Sequence, residues 1–303
     1  MVIYKNYDQE ALDLQYNNRT KVPDFTQIVA GWKQRSEALR QSASLYPDLR
    51  YGAHERERLD IFPANMPNSP VLVFFHGGYW QAMEKDVFHF IVAGFLEHQV
   101  TVAMVNYPLA PEVTMDDIVS SCRRAMVWLY DHVVAFNGSP PRIFVSGHSA
   151  GGHLVAMLAA TDWKQLGAQL PHDLIKGGCA ISGLFDLTPI RLSYLNDVLG
   201  LDQATAQRNS PVHLVPNYPG RLIVAVGELE SDEYHAQSRG LVRAWSEAKW
   251  SLRYLPVAGA NHFSILEQFV TDRGALNKAI LEQMHVTRNS LGKSINSGSR
   301  FGI

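Results

Sequence analysis

Cysteine is scarce in this chain: among 303 residues only Cys122 and Cys179 occur. One falls in a helical pattern and the other in an apolar run, so a disulfide framework or a cysteine-rich metal cage is excluded and both read as buried thiols. An excess of either charge is also missing. The 27 Lys and Arg stand against 29 Asp and Glu, a formal net charge of -2, and nothing basic points to nucleic acid. No apolar run approaches the roughly 18 residues that cross a bilayer. The opening MVIYKNYDQEALDLQY has neither the apolar stretch nor the cleavage pattern of a signal peptide. No membrane association and a cytoplasmic location are therefore expected. The 12 histidines contain no H-E-x-x-H spacing, and neither a metal nor a cofactor is expected.

What the chain does have is core. Hydrophobic residues make up 46% of it and charged ones 18%, the balance of an ordinary globular protein. Short apolar runs recur at 71–75, 100–105, 142–147, 178–182 and 222–226. They do not alternate with polar residues, so both faces of these strands must be covered. Helical stripes lie between them: Phe88, Ile91, Val92, Phe95 and Leu96 in one, Ile118, Cys122, Ala125, Leu129 and Val133 in another. Strand and helix in alternation predict an α/β fold, a mostly parallel central sheet with helices on both faces. The polar stretch at 51–62 reads as an antiparallel pair at the sheet edge. A single domain over 1–303 is expected, with 1–46 and about 184–218 forming a small helical cap and about 287–303 a loose tail.

The strongest chemical signal is RIFVSGHSAGGHLVAML, where Ser149 sits between Gly147 and Gly151. An apolar strand enters and an apolar helix leaves, so the serine falls on a tight strand-to-helix turn, the setting of a nucleophile elbow. A serine hydroxyl needs a base, and the loop PVAGANHF after a strand-like 250–257 supplies His262. The base in turn needs an acid that fixes its tautomer. GELESDEY offers Glu228, Glu230, Asp232 and Glu233; strand proximity and the following helix leave Glu230 or Asp232. Upstream, VLVFFHGGYW ends a strand on glycines, which let backbone amides approach a developing oxyanion. Gly78, Tyr79 and Ala150 are the expected donors, Gly77 is an alternative, and His76 braces the loop. Trp80, Phe185 and Phe263 are expected to wall a flat apolar pocket, bordered by Tyr194.

HGGYW, GHSAGGHL and NHF, in this order, resemble the motifs of the α/β-hydrolase superfamily, in its hormone-sensitive-lipase-like branch. Over roughly residues 10–285 the chain is similar to the kynurenine formamidase (arylformamidase) group of that branch. Setting Glu233, Tyr234, Gln237 and Ser238 on the group's pattern implies Glu230 as the triad acid, where many relatives carry aspartate. Tyr79 stands where the branch commonly has a third glycine. The resemblance implies hydrolysis of an aryl formamide such as N-formylkynurenine by Ser149, Glu230 and His262, with a small-molecule amide or ester as the substrate and Arg191 a weaker candidate for holding its carboxylate. A carboxylesterase of small esters uses the same residues, and a hydrolase-fold binding protein without chemistry is the reading from another class.

Overall fold

A computed structural model describes residues 1–216, 220–246, 250–271 and 273–286. Eight strands form one sheet: β1 (Tyr46–Arg50), β2 (Arg58–Phe62), β3 (Ser69–Phe75), β4 (Thr101–Val105), β5 (Gly138–His148), β6 (Ile175–Ile181), β7 (Gly220–Gly227) and β8 (Trp250–Val257). Their spatial order is β1-β2-β4-β3-β5-β6-β7-β8. Only the β1–β2 and β2–β4 pairings are antiparallel; every other pairing is parallel.

The continuous apolar runs have the expected cause. All seven residues of β3 are buried. Val71, Val73 and Phe75 join one core cluster while Leu72 and Phe74 join the other, because successive side chains of a strand point to opposite faces. Each large apolar side chain removed from water in this way contributes roughly 1.5–3 kcal/mol.

Helices α1 (Gln9–Tyr16), α2 (Asn18–Lys21) and α3 (Phe25–Ser42) precede the sheet. Helices α4 (Ala93–Leu96), α5 (Met115–His132) and α6 (Ala150–Ala159) link its first parallel strands. Helices α7 (Thr188–Leu192), α8 (Asn196–Leu199) and α9 (Gln203–Arg208) lie between β6 and β7. Helix α10 (Asp232–Ala244) lies between β7 and β8, and α11 (Glu267–Val270) and α12 (Ala275–Gln283) follow. The helix α5 starts at a capping box in which Thr114 and Asp117 satisfy each other's backbone amides. Its predicted stripe, Ile118, Cys122, Ala125 and Leu129, faces the core. Both cysteines are buried and unpaired.

Two expectations need correction. The segment read as an α-helical stripe at 88–96 is a 3-10 helix over Lys85–Val92, followed by the short α4. Val87 through Val92 are all buried, with Trp32 of α3 packed on the rings of Phe88 and Phe90, so no single apolar face was there to be read. The edge pair is β1 with β2, not 51–62. Residues 51–57 form the connection, pinned by the buried Tyr51 hydroxyl on the Asn106 carbonyl at 2.6 Å and by buried Glu57 paired with Arg124. The tail at 287–303 lies outside the described residues.

The strand order explains where a site can form. From β3 the chain leaves toward β4 and from β5 toward β6, in opposite directions along the sheet. Loops that diverge from adjacent parallel strands open a crevice at their C-terminal ends. The HGGY loop follows β3 and Ser149 follows β5.

Candidate active site

Ser149 holds φ 58° and ψ -117° between β5 and α6, a conformation costing a side-chain-bearing residue on the order of 1–3 kcal/mol. The surroundings enforce it. A Cβ on Gly147 would sit 2.3 Å from the Gly151 carbonyl oxygen, and one on Gly151 would sit 1.9 Å from that of Phe75. Glycine is thus a steric requirement on both sides of the serine. The Ser149 amide donates to the Ile181 carbonyl at 2.8 Å, tying the turn to β6.

His262 follows β8, nearly buried, and its Nδ1–H donates to Glu230 Oε2 at 2.7 Å. This bond leaves Nε2 as the proton acceptor. The carboxylate is held on its other oxygen, which accepts from Ser182 Oγ at 2.5 Å and from the Gly227 amide at 2.7 Å. Asp232, by contrast, is exposed at the start of α10. Glu228 is exposed and accepts from the Gly259 amide, and Glu233 pairs with Lys5 at 2.8 Å. Of the four acids in GELESDEY, Glu230 is the one at the imidazole. His148, the residue before the serine, donates from Nε2 to the His262 carbonyl at 2.7 Å. Burial, then the nearby His262, pushes its pKa well down, so it anchors the His262 loop as a neutral ring. Sequence reading passed over it as a variable position of G-x-S-x-G.

The loop after β3 turns through three left-handed residues, Gly78 (φ 114°), Tyr79 (φ 52°) and Trp80 (φ 59°). A Cβ on Gly78 would lie 2.2 Å from the Ala82 carbonyl oxygen. His76 is stacked 4.3 Å from the Tyr107 ring, and burial lowers its pKa to about 3. The Tyr107 hydroxyl donates to the His76 carbonyl at 2.7 Å. Gly77, Gly78 and Tyr79 line one cavity of about 360 Å³ together with Ser149 and His262. Ala150 is buried as the first residue of α6, where amides have no intrahelical partner.

A family model described as BD-FAE matches residues 59–231. Over 288 residues the chain is 32% identical to the kynurenine formamidase of Danio rerio, covering 91% of this chain and 96% of that one. The chain belongs to the BD-FAE family. The family match runs from β2 to the residue after Glu230, leaving out α1–α3 and His262. This BD-FAE member is also 26% identical to the kynurenine formamidase of Drosophila melanogaster over 251 residues, 79% of this chain and 82% of that one. A solved structure from Silicibacter sp. has 29% identity and a TM-score of 0.77, covering 89% of this chain and 98% of its own. A thermophilic carboxylesterase from a metagenomic library shares the fold at a TM-score of 0.71 and 17% identity, over 86% of this chain and 96% of its own. The fold is that of an α/β-hydrolase.

The walls of the cavity depart from the sequence reading. Phe263 lines it, its ring tilted against that of Phe25 with centroids 4.8 Å apart. Trp80 and Phe185 do not: both are fully buried members of the core. The left-handed turn at Tyr79 and Trp80 sends the tryptophan inward, where its Nε1–H donates to His153 Nδ1 at 3.2 Å. Gln237 Oε1 accepts from the Phe185 and Asp186 amides, both at 2.7 Å, which fixes the phenylalanine ring against Gly183. Tyr194 lines the cavity and Arg191 does not. In place of the two displaced aromatics stand Trp32 and Phe25 from α3, with Asn17, Asn18 and Arg19 around α2.

Those N-terminal residues are fastened by side chains. The Tyr79 hydroxyl donates to the Tyr16 carbonyl at 2.5 Å and meets the Tyr234 hydroxyl at 2.7 Å. Asn18 Nδ2 donates to Tyr234 at 2.8 Å and to Tyr79 at 3.2 Å. The Tyr234 ring lies 4.7 Å from that of His262. Tyr79 therefore contributes a hydroxyl that links the glycine loop to the N-terminal segment, beyond the backbone amide expected from sequence.

Elsewhere, Asp60, Asp86 and His89 are close enough to share a cation. The Lys85 ammonium already occupies their midst, at 3.0 Å from Asp60 and 2.8 Å from Asp86, so the donor set does not fit a metal. Among the described residues no helix is long and apolar enough to cross a membrane.

Proposed function

We propose that this hydrolase cleaves an aryl formamide, with N-formylkynurenine as the substrate, by a Ser149–His262–Glu230 triad and a formyl-enzyme intermediate. The observation that carries the reading is the 2.7 Å bond from His262 Nδ1 to the buried carboxylate of Glu230, with His262 lining the same cavity as a serine on a strained elbow. Ser149 Oγ attacks the formyl carbon while His262 Nε2 takes its proton. The amides of Gly78, Tyr79 and Ala150 receive the oxyanion, each worth roughly 3 kcal/mol at the transition state. His262 then gives the proton to the departing aryl amine. Water, activated by the same ring, releases formate and restores the serine.

The relatives named kynurenine formamidase, matched along nearly the whole chain, support the formamide over other acyl groups, and so do the aromatic walls at Phe25, Trp32, Phe88 and Phe263. The rival reading is a carboxylesterase of small aryl esters, which would use every one of these groups. Turnover of N-formylkynurenine, followed as kynurenine release, is compared with turnover of p-nitrophenyl acetate. A kcat/KM for the formamide well above that for the ester is the expected result; formamide turnover at background assigns the site to esters. Labelling of Ser149 by a fluorophosphonate is expected in either case, and its absence would leave a binding protein.

A further inference from the structure

Charge is distributed unevenly around the cavity. Among the described residues its lining contains no Asp or Glu, and of the Lys and Arg side chains it contains Arg19 alone. Of the lining histidines, His148 is held neutral by burial and His262 is engaged with Glu230. Arg19 is exposed at the rim, on the four-residue α2. Many other arginines of the molecule are paired: Arg35 with Glu267, Arg124 with Glu57, Arg208 with Asp116, Arg253 with Glu282. Arg19 has no ion pair among the described residues, and its guanidinium instead lies over the Phe25 ring at 5.1 Å. Stacking steadies the plane of a guanidinium while leaving its edge N–H groups open for a carboxylate. Its charge also acts on the phenol of Tyr194, across the same rim.

We infer that Arg19 is a specificity-determining residue that receives a carboxylate on the leaving-group side of the substrate. This rests on the formamidase reading for the reaction, since a formyl group is too small to extend from Ser149 to the rim and the remainder of the substrate must do so. A neutral aryl ester or amide gives the guanidinium nothing to bind. An anionic one finds the only permanent cation among the described lining residues, with no carboxylate among them to oppose it. The rim therefore selects an aryl amide with an acidic tail, and Arg191, which lies off the cavity, has no part in it.

The test compares substrates that differ only in the carboxylate. N-formylkynurenine is measured beside its neutral analogue, a 2-formamidophenyl ketone without the amino-acid end, in the wild type, Arg19→Ala, Arg19→Lys and Arg191→Ala. Arg19→Ala is expected to raise KM for the carboxylated substrate about 10- to 100-fold, with kcat and the neutral analogue changed less than about twofold. Arg19→Lys should recover part of the loss, because the charge returns without the two-pronged geometry. Arg191→Ala should resemble the wild type. Equal losses on both substrates, or none on either, overturn the inference. A second pair, 3-acetoxybenzoate and phenyl acetate, separates it from the formamide reading. If no formamide is turned over yet Arg19→Ala erases a preference for the carboxylated ester, the anion site stands and the formamidase reading falls; if the wild type prefers neither ester nor formamide with the charge, the anion site falls.

Discussion

On the sheet side of the cavity, Ser149, Glu230 and His262 sit on loops leaving β5, β7 and β8, fixed by backbone contacts that leave no room for a Cβ at Gly147 or Gly151. On the opposite side, Asn18, Arg19, Phe25 and Trp32 come from α2 and α3 and are joined to the rest through side chains: Asn18 to Tyr234 and Tyr79, and Trp32 to Glu267 at 3.3 Å. Strained backbone on strand ends holds reacting atoms to tolerances that chemistry needs. Helices fastened by hydroxyl and amide bonds can change shape and charge without disturbing them. In the proposed function, the first side makes the reaction run and the second chooses what it runs on.

Substitutions can break that division, and the largest effect belongs to the sheet side. Ser149→Ala is expected to lower kcat by about 10⁴-fold or more while leaving the thermal midpoint near that of the wild type. Residual turnover above a hundredth would assign the nucleophile elsewhere. Next, Glu230→Gln should cost about 10²–10⁴-fold in kcat, because an amide neither fixes the tautomer nor balances the imidazolium. Asp232→Asn should stay within about twofold, and a reversed ranking would overturn the choice of acid.

Tyr79→Phe probes the seam between the two sides. It removes the hydroxyl bonded to the Tyr16 carbonyl, Tyr234 and Asn18 but keeps the ring and the backbone amide. A fall in kcat of about tenfold with little change in KM is expected if the hydroxyl holds the glycine loop in register. A change confined to KM would place its role wholly on the selecting side. A smaller effect is expected from Phe25→Ala, which removes the platform under Arg19 and the ring contact with Phe263. KM for an aromatic substrate should rise by about 3- to 10-fold at constant kcat; a loss of kcat instead would show that α3 reaches into the chemistry.

The sheet side was largely legible in the residues. A continuous apolar run ending in HGG, another ending in GHSAG and a histidine on the loop after a late strand each carry their meaning in local order, because the steric demand at Gly147, Gly78 and Gly151 is met by near neighbours in sequence or by the adjacent strand. The acid was narrowed to Glu230 or Asp232 by position and separated only by resemblance; in three dimensions the separation is the Ser182 hydroxyl and the Gly227 amide converging on one carboxylate. The selecting side was not legible. Trp80 and Phe185 were placed in the pocket because they neighbour it in sequence, yet the left-handed turn at 79–80 and the Gln237 bonds direct them into the core. Trp32 gave no signal, since a tryptophan in a helix is ordinarily core. Arg19 is separated by 60 residues from Tyr79, which lines the same cavity, counting from 19 to 79.

The sequence by itself determined an α/β sheet buried on both faces, the serine elbow, the glycine loop and the candidate base, because each depends on the steric and hydrophobic character of consecutive residues. Which aromatics face the cavity, which acid meets the imidazole and which arginine stands unpaired at its rim were decided only by the tertiary structure. Those properties depend on which distant side chains share a few ångströms of space, and hydrogen-bond geometry and charge pairing become definite only when the chain has closed around them.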